Sequence, residues 1–355
     1  MTTNQKTETH TSMMFLSQLH GLRGVLSLIV VIYHFNIWFS WTDINLYGLS
    51  RAVDGFVVLS GYLICRVVMS GKRESGVAFV LNRWIRLFPV YYFSIIAMLV
   101  SKSMFEGGGI DKLDVFLHIL FLHNFFDVYN WGIDAAFWSL GLEMSLYVSF
   151  AVIVALSSRL RVPIIKLLVY SNLFCLLVCV VIRIFAPQYT ELYVYRGHLV
   201  SRWCQFSCGV WLCLVNGNII SSLKQRFVWI TIALACIVCI VTSKVLFLHN
   251  FFWSVLLLLS MNLVLHDNLL ARILSCKPFQ YLGSVSYSTY LIHGTVFYLC
   301  TKLVGIVPFD KVPDMGFVVC IAIPLVFITS HMLSIYERYA IRFVKYNLMT
   351  KHEVL

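Results

Sequence analysis

The sequence predicts an all-α fold, a polytopic integral membrane protein of about ten transmembrane helices with both termini in the cytoplasm. Three observations carry that prediction. The 355 residues are 60% hydrophobic and only 12% charged, about half the charge of a soluble domain. Apolar windows of roughly 20 residues, the length that crosses a bilayer as a helix, follow one another with only short polar joints. The Lys and Arg residues collect in those joints. With the N-terminus inside, 18 of the 27 fall on the inner side, leaving 9 (27 − 18) outside, the bias that orients membrane helices. The formal charge of +11 then reports topology, and no nucleic-acid partner is expected.

Taken in order, the windows fall at 24–42, 52–70, 87–104, 138–157, 163–185, 198–216, 227–243, 247–265, 284–303 and 314–334. The first follows Arg23 and is longer than a signal-peptide core, with no small-residue cleavage site behind it, so it is expected to stay attached. The second, AVDGFVVLSGYLI, holds Gly61 at its centre, where another helix can approach closely. Between the third and fourth lies LDVFLHILFLHNFF, apolar but too short to span. It is expected as a re-entrant or interfacial helix on the outer side. The hexapeptide FLHNFF occurs at 121–126 and again at 247–252, but nothing repeats around it, so it is read as coincidence.

No shift in composition marks a separate soluble domain. Residues 1–22 read as a cytoplasmic segment, 23–337 as one transmembrane domain and 338–355 as a basic cytoplasmic tail. Nearly all of the eleven cysteines, including the pairs Cys204/Cys208 and Cys236/Cys239, sit in apolar segments without a histidine cluster beside them. They are expected as buried thiols, with no metal site.

Polar residues inside apolar helices are costly and point to protein or water rather than lipid. His34 lies eleven residues after Arg23, close to three full turns, so the two share a face some 16 Å apart along the axis. Ser27 is on the same stripe. In the fourth helix, FWSLGLEMSLY puts Ser139, Glu143 and Tyr147 on one face, with Glu143 more than a turn inside. A carboxylate there must pair or take up a proton. The second helix carries Asp54 at its outer end and Ser60 in its middle, and the ninth, SVSYSTYLIHGTVF, aligns Tyr287, Tyr290 and His293. Arg83 and Arg86 of RWIRLFP stand one turn apart at a cytoplasmic helix entry. That spacing suits a group with several phosphate oxygens, although arginines so placed also serve as snorkelling anchors.

LHGLRGVLSLIVVIYHF, VDGFVVLSGYLI, NRWIRLFPVYY, FWSLGLEMSLY and SYSTYLIH resemble, in order, spacing and position, the motifs of the acyltransferase-3 family of integral membrane proteins. The resemblance covers nearly the whole chain. It implies transfer of an acyl group, most often acetyl, from cytoplasmic acyl-coenzyme A to a hydroxyl of a surface or lipid-linked glycan such as lipopolysaccharide O-antigen, in a bacterial inner membrane. By resemblance, His34 corresponds to the catalytic histidine, Arg23 to the arginine before it, Arg83 and Arg86 to the donor-associated pair, and Glu143 to the acid of the Trp-Ser-Leu box. Asp54, Ser60, Ser139, Tyr147, Tyr290 and His293 are expected around them. The second acidic residue often found after that Glu is missing. The fused esterase-like domain of some members is not expected here.

Coenzyme A carries phosphates at one end and a thioester at the other, so cations at the cytoplasmic surface and chemistry deeper in the membrane fit one ligand. His34, oriented by a carboxylate such as Glu143, would act as general base on the acceptor hydroxyl, or as the carrier of a covalent acyl group. HNFFD, His123 to Asp127, has the His-x-x-x-Asp spacing of soluble coenzyme A acyltransferases but lacks the following Gly and lies on the outer side. A transporter with a His- and Glu-lined pathway is the alternative from another class, although no inverted repeat or paired broken helices support it.

Overall fold

A computed structural model describes residues 3–352 apart from 45, 71–75, 108, 191–197, 216–245, 267 and 307–314. Among the described residues every regular element is helical. In chain order they are α1 (Thr3–Phe39), α2 (Ala52–Met69), α3 (Gly76–Glu106), α4 (Lys112–Ile119), α5 (Asp127–Asn130), α6 (Trp138–Leu160), α7 (Ile164–Phe185), α8 (Leu199–Leu214), α9 (Leu246–Leu265), α10 (Leu269–Leu274), α11 (Lys277–Ile306) and α12 (Met315–His352), with short 3-10 turns between some of them. Hydrocarbon enforces this, because a spanning backbone must satisfy its own N–H and C=O groups.

Six helices among the described residues are long and apolar enough to cross a membrane: Ser17–Phe39, Gly48–Met69, Gly76–Glu106, Trp138–Leu160, Ile164–Phe185 and Cys320–Asn347. The chain is an integral membrane protein. Three other expected windows coincide with helices that fall short by that measure. α8 has only 16 residues, the apolar part of α9 is Trp253–Leu265, and α11 is diluted by Ser, Thr, Tyr and His. The window at 227–243 and the pair Cys236/Cys239 lie outside the described residues. Part of the segment expected as a re-entrant or interfacial helix is helical: α4 is eight residues long, capped by the Asp111 carboxylate, which accepts from Leu113 N at 2.9 Å.

The chain divides into two compact units. One comprises Met1–His20, Val53–Val80 and Leu142–Cys276. In it α8 packs on α7 and α9, and α2 meets α8 at two glycines. A Cβ at Gly61 would strike the carbonyl of Phe206, and one at Gly209 the carbonyl of Val58. The close approach expected of Gly61 is thus made, with small residues letting two backbones touch. The described cysteines are free thiols, Cys65, Cys179, Cys213 and Cys300 buried and Cys276 and Cys320 exposed.

The other unit comprises Gly21–Ala52, Leu81–Gly141 and Lys277–Leu355. Its contacts fix the directions of its helices. α1 and α11 run parallel: a Cβ at Gly24 would stand 2.6 Å from Gly283 N, His34 meets His293, and Phe35 and Phe39 meet Phe297. α3 runs the same way, with Leu87 against Tyr287 at one end and Glu106 paired with Lys302 at 3.2 Å at the other. α12 packs beside α3, Phe93 against Tyr336 and Arg86 interacting with Glu337.

Candidate active site

His34 projects from α1 at a depth set by Arg23, with Ser27 between them buried and donating to Gly24 O at 2.9 Å. The described hydrogen bonds of His34 run through Nδ1, which lies 3.1 Å from Val30 O and 3.1 Å from His293 Nε2. The rings are 4.9 Å apart and tilted by 39°. His293 is itself buried, its Nδ1 3.2 Å from Thr289 O. The three aligned residues of α11 each reach a different helix. Tyr287 donates to Leu87 O on α3 at 2.6 Å, Tyr290 accepts from Ser139 Oγ at 2.7 Å and donates to Ala136 O at 3.1 Å beside α6, and His293 meets α1. One helical face therefore connects the neighbourhood of Arg86 to the histidine pair.

The arginines gather at the same end of this unit. Glu337 of α12 interacts electrostatically with Arg86, Arg23 and Arg338, so two of the three expected donor-binding residues share one carboxylate. Arg83 is half-buried and Arg86 exposed. Glu337 was not anticipated, although an acid flanked by bases in IYERYAIR is the kind of signal that could have found it.

Glu143 belongs to the other unit, where it accepts from Ser60 Oγ at 3.3 Å and from Tyr147 OH. Ser60, Glu143 and Tyr147 thus form one polar cluster, in which two hydroxyls donate to the carboxylate. Asp54, also in that unit, forms a buried ion pair with Arg202 at 2.9 Å. Arg202 was another omission, since a single Arg in an apolar window reads as a topology signal until its partner is known.

Beyond the histidine pair lies the connector 107–137. Gly294 has no side chain because a Cβ there would strike the Asp134 carboxylate, which accepts from Ala136 N at 2.8 Å. Burial raises the Asp134 carboxyl to about 6 against the opposing pull of that N–H and of Lys102. His123, first residue of HNFFD, is fully buried with Nε2 against Phe137 O at 3.1 Å.

Comparison with known proteins shows the family. Residues 16–331 match the model of the acyltransferase-3 family, described as an acyltransferase domain. The chain belongs to that family. It is 24% identical over 331 residues to the peptidoglycan O-acetyltransferase OatA of Listeria monocytogenes, covering 85% of this chain and 52% of OatA. It is 25% identical over 323 residues to YrhL of Bacillus subtilis, named as a candidate peptidoglycan O-acetyltransferase, covering 81% of this chain and 50% of YrhL. The chain therefore spans about half the length of the curated relatives it matches. No solved structure matches it. The family match leaves the transporter alternative without support.

Proposed function

We propose that this chain is a membrane-embedded O-acyltransferase that moves an acyl group, acetyl foremost, from cytoplasmic acyl-coenzyme A to a hydroxyl of a surface or lipid-linked glycan. The observation that carries the reading is the separation built into one compact unit. An arginine cluster, Arg23, Arg86 and Arg338 around Glu337, occupies one end, and the His34–His293 pair lies roughly three helical turns, or about 16 Å, further along α1. Arg23, Arg83 and Arg86 would hold the phosphates of the donor, for which guanidinium forks are suited. Its flexible arm would carry the thioester to His34, and His34 would take the proton of the attacking hydroxyl. Glu143, with Ser60 and Tyr147, would serve the reaction from its own cluster.

Ten spans with both termini in the cytoplasm is the reading of the apolar windows and the charge bias, and the helix directions agree with the alternation it requires. α1, α3 and α11, the first, third and ninth windows, run parallel, as odd-numbered spans must. For the acceptor, the relatives' printed names favour peptidoglycan, while lipopolysaccharide O-antigen in a bacterial inner membrane remains the reading of the motifs. Mass spectra of both glycans from cells carrying the wild-type chain or His34→Ala test the proposal. One acetyl per repeat, lost in the variant, is the expected result, and the glycan that changes names the acceptor. Acetylation undiminished in His34→Ala would overturn the reading.

A further inference from the structure

We propose that His293 is the positioning residue that fixes the proton on Nδ1 of His34 and leaves Nε2 of His34 as the working lone pair. This rests on the general-base reading above and assigns His293 a task that the motifs do not.

The argument is a count of donors and acceptors. A carbonyl oxygen can only accept, so the nitrogen facing it should carry hydrogen. Two carbonyls face the Nδ1 atoms, Val30 O at 3.1 Å from His34 and Thr289 O at 3.2 Å from His293, and the Tyr290 backbone also bonds His293. With hydrogen on both Nδ1 atoms, His293 Nε2 keeps its lone pair and accepts from His34 Nδ1–H across their 3.1 Å contact. All three contacts then have a hydrogen, the one on His34 Nδ1 shared between Val30 O and His293 Nε2. Moving hydrogen to both Nε2 atoms keeps the contact between the rings but sets a nitrogen lone pair against a carbonyl lone pair at Val30 and at Thr289. Mixed arrangements put two hydrogens, or two lone pairs, between the rings. One proton arrangement is therefore selected, and an unmet polar contact in a buried setting costs more than a formed one gains.

The consequence is chemical. The acceptor hydroxyl gives its proton to His34 Nε2 while its oxygen bonds to the thioester carbonyl carbon. The C–S bond then breaks, and the departing sulfur takes that proton from Nε2, so the products are the ester and the coenzyme A thiol, with His34 neutral again. While His34 is an imidazolium, its Nδ1–H to His293 Nε2 becomes a charge-assisted bond, shorter and stronger than the neutral one. An aspartate does this in serine hydrolases. Here a neutral imidazole does it, without placing a second full charge in the membrane.

Two measurements test this. In protein labelled with 15N-histidine, the ring signals of His34 and His293, assigned by their loss in His34→Gln and His293→Gln, should both report hydrogen on Nδ1. Hydrogen on Nε2 of either ring would overturn the proposal, and this readout needs no turnover, so it stands apart from whether the chain transfers acetyl. In kinetics, His293→Leu should lower kcat on the order of a hundredfold, within the range expected of general-base assistance, with KM for acetyl-coenzyme A unchanged. His293→Gln places an amide oxygen near the position of Nε2 and should recover most of that loss. Near-normal kcat in the leucine variant, or a glutamine variant no better than leucine, would overturn the positioning role.

Discussion

The unit that contains His34 holds two histidine pairs, and they are built in opposite ways. His34 and His293 meet edge to edge, nitrogen to nitrogen at 3.1 Å with rings tilted by 39°, and His34 is half-buried. His118 and His123 lie face to face, 3.9 Å apart and only 6° from parallel, both with no exposed surface. His118 Nδ1 faces Asp114 O and Oδ1, each at 3.0 Å, and His123 Nε2 faces Phe137 O. Burial, followed for His118 by the neighbouring His123, holds the two at about 3 and about 4. The second pair is thus neutral near pH 7 and closed to any substrate, a packing element of the connector. Proximity of two imidazoles says little about function. What matters is whether a nitrogen remains that something else can reach.

The largest effect that would break this contrast comes from swapping a loss between the pairs. His34→Ala should lower transfer by roughly 10² to 10⁴, the range general-base groups contribute, and leave the thermal midpoint near wild type. His123→Ala should do the reverse, costing roughly 2 to 3 kcal/mol of stability through a lost buried hydrogen bond and cavity while folded protein still turns over. Activity and melting curves for both, in the same detergent, are the check. A catalytic loss in His123→Ala as deep as in His34→Ala would restore HNFFD as a candidate.

Next come the arginines, which sharpen the chemical side of the comparison. If Arg83 and Arg86 grip phosphates in a fork, lysine replaces them poorly. Arg83→Lys and Arg86→Lys should then weaken acetyl-coenzyme A binding by roughly ten- to a hundredfold, as titration in nanodiscs would read. Unchanged affinity in both would return the pair to an anchoring role.

The smallest effect concerns pH and the connector that holds the packing pair. The folded values of His118 and His123 lie below the ordinary 6.5, so the unfolded chain binds protons first and stability falls as pH drops from about 6.5. Asp134, raised to about 6 from 3.8, acts oppositely: the folded chain binds its proton first, adding stability as pH falls from 6 to 4. Asp134→Asn removes that opposing contribution. Its unfolding free energy should therefore fall more steeply than that of wild type between pH 6 and 4, by up to about 1.4 kcal/mol per pH unit. Parallel curves would contradict the assignment.

Much of this was legible beforehand, and the limit has a physical cause. Helical periodicity gives the face on which a residue lies, so Arg23 with His34, and Tyr287 with Tyr290 and His293, could be aligned from sequence. Periodicity says nothing about which helix that face meets. The alignment on α11 was right, yet its three residues reach three different helices. A carboxylate was expected to orient His34, and the described partner is His293. Arg202 went unnoticed because a lone charge in an apolar window acquires meaning only through a partner distant in sequence, here Asp54, and the partners Arg86 and Arg23 of Glu337 are as distant.

The contact at Gly24 works like the zero mark of a ruler. α1 and α11 touch at Gly24 and Gly283, and the histidines meet ten residues on in both helices, 34 − 24 and 293 − 283. Two parallel α-helices advance in step, about 15 Å over that distance, so equal counts bring the imidazoles level. Inserting one residue into either helix between the marks would raise one histidine by about 1.5 Å and turn it by roughly 100°. Inserting one in each would keep the rings level but turn both off the face they share. The reach of the donor's arm is in this sense written as a residue count, duplicated on two helices.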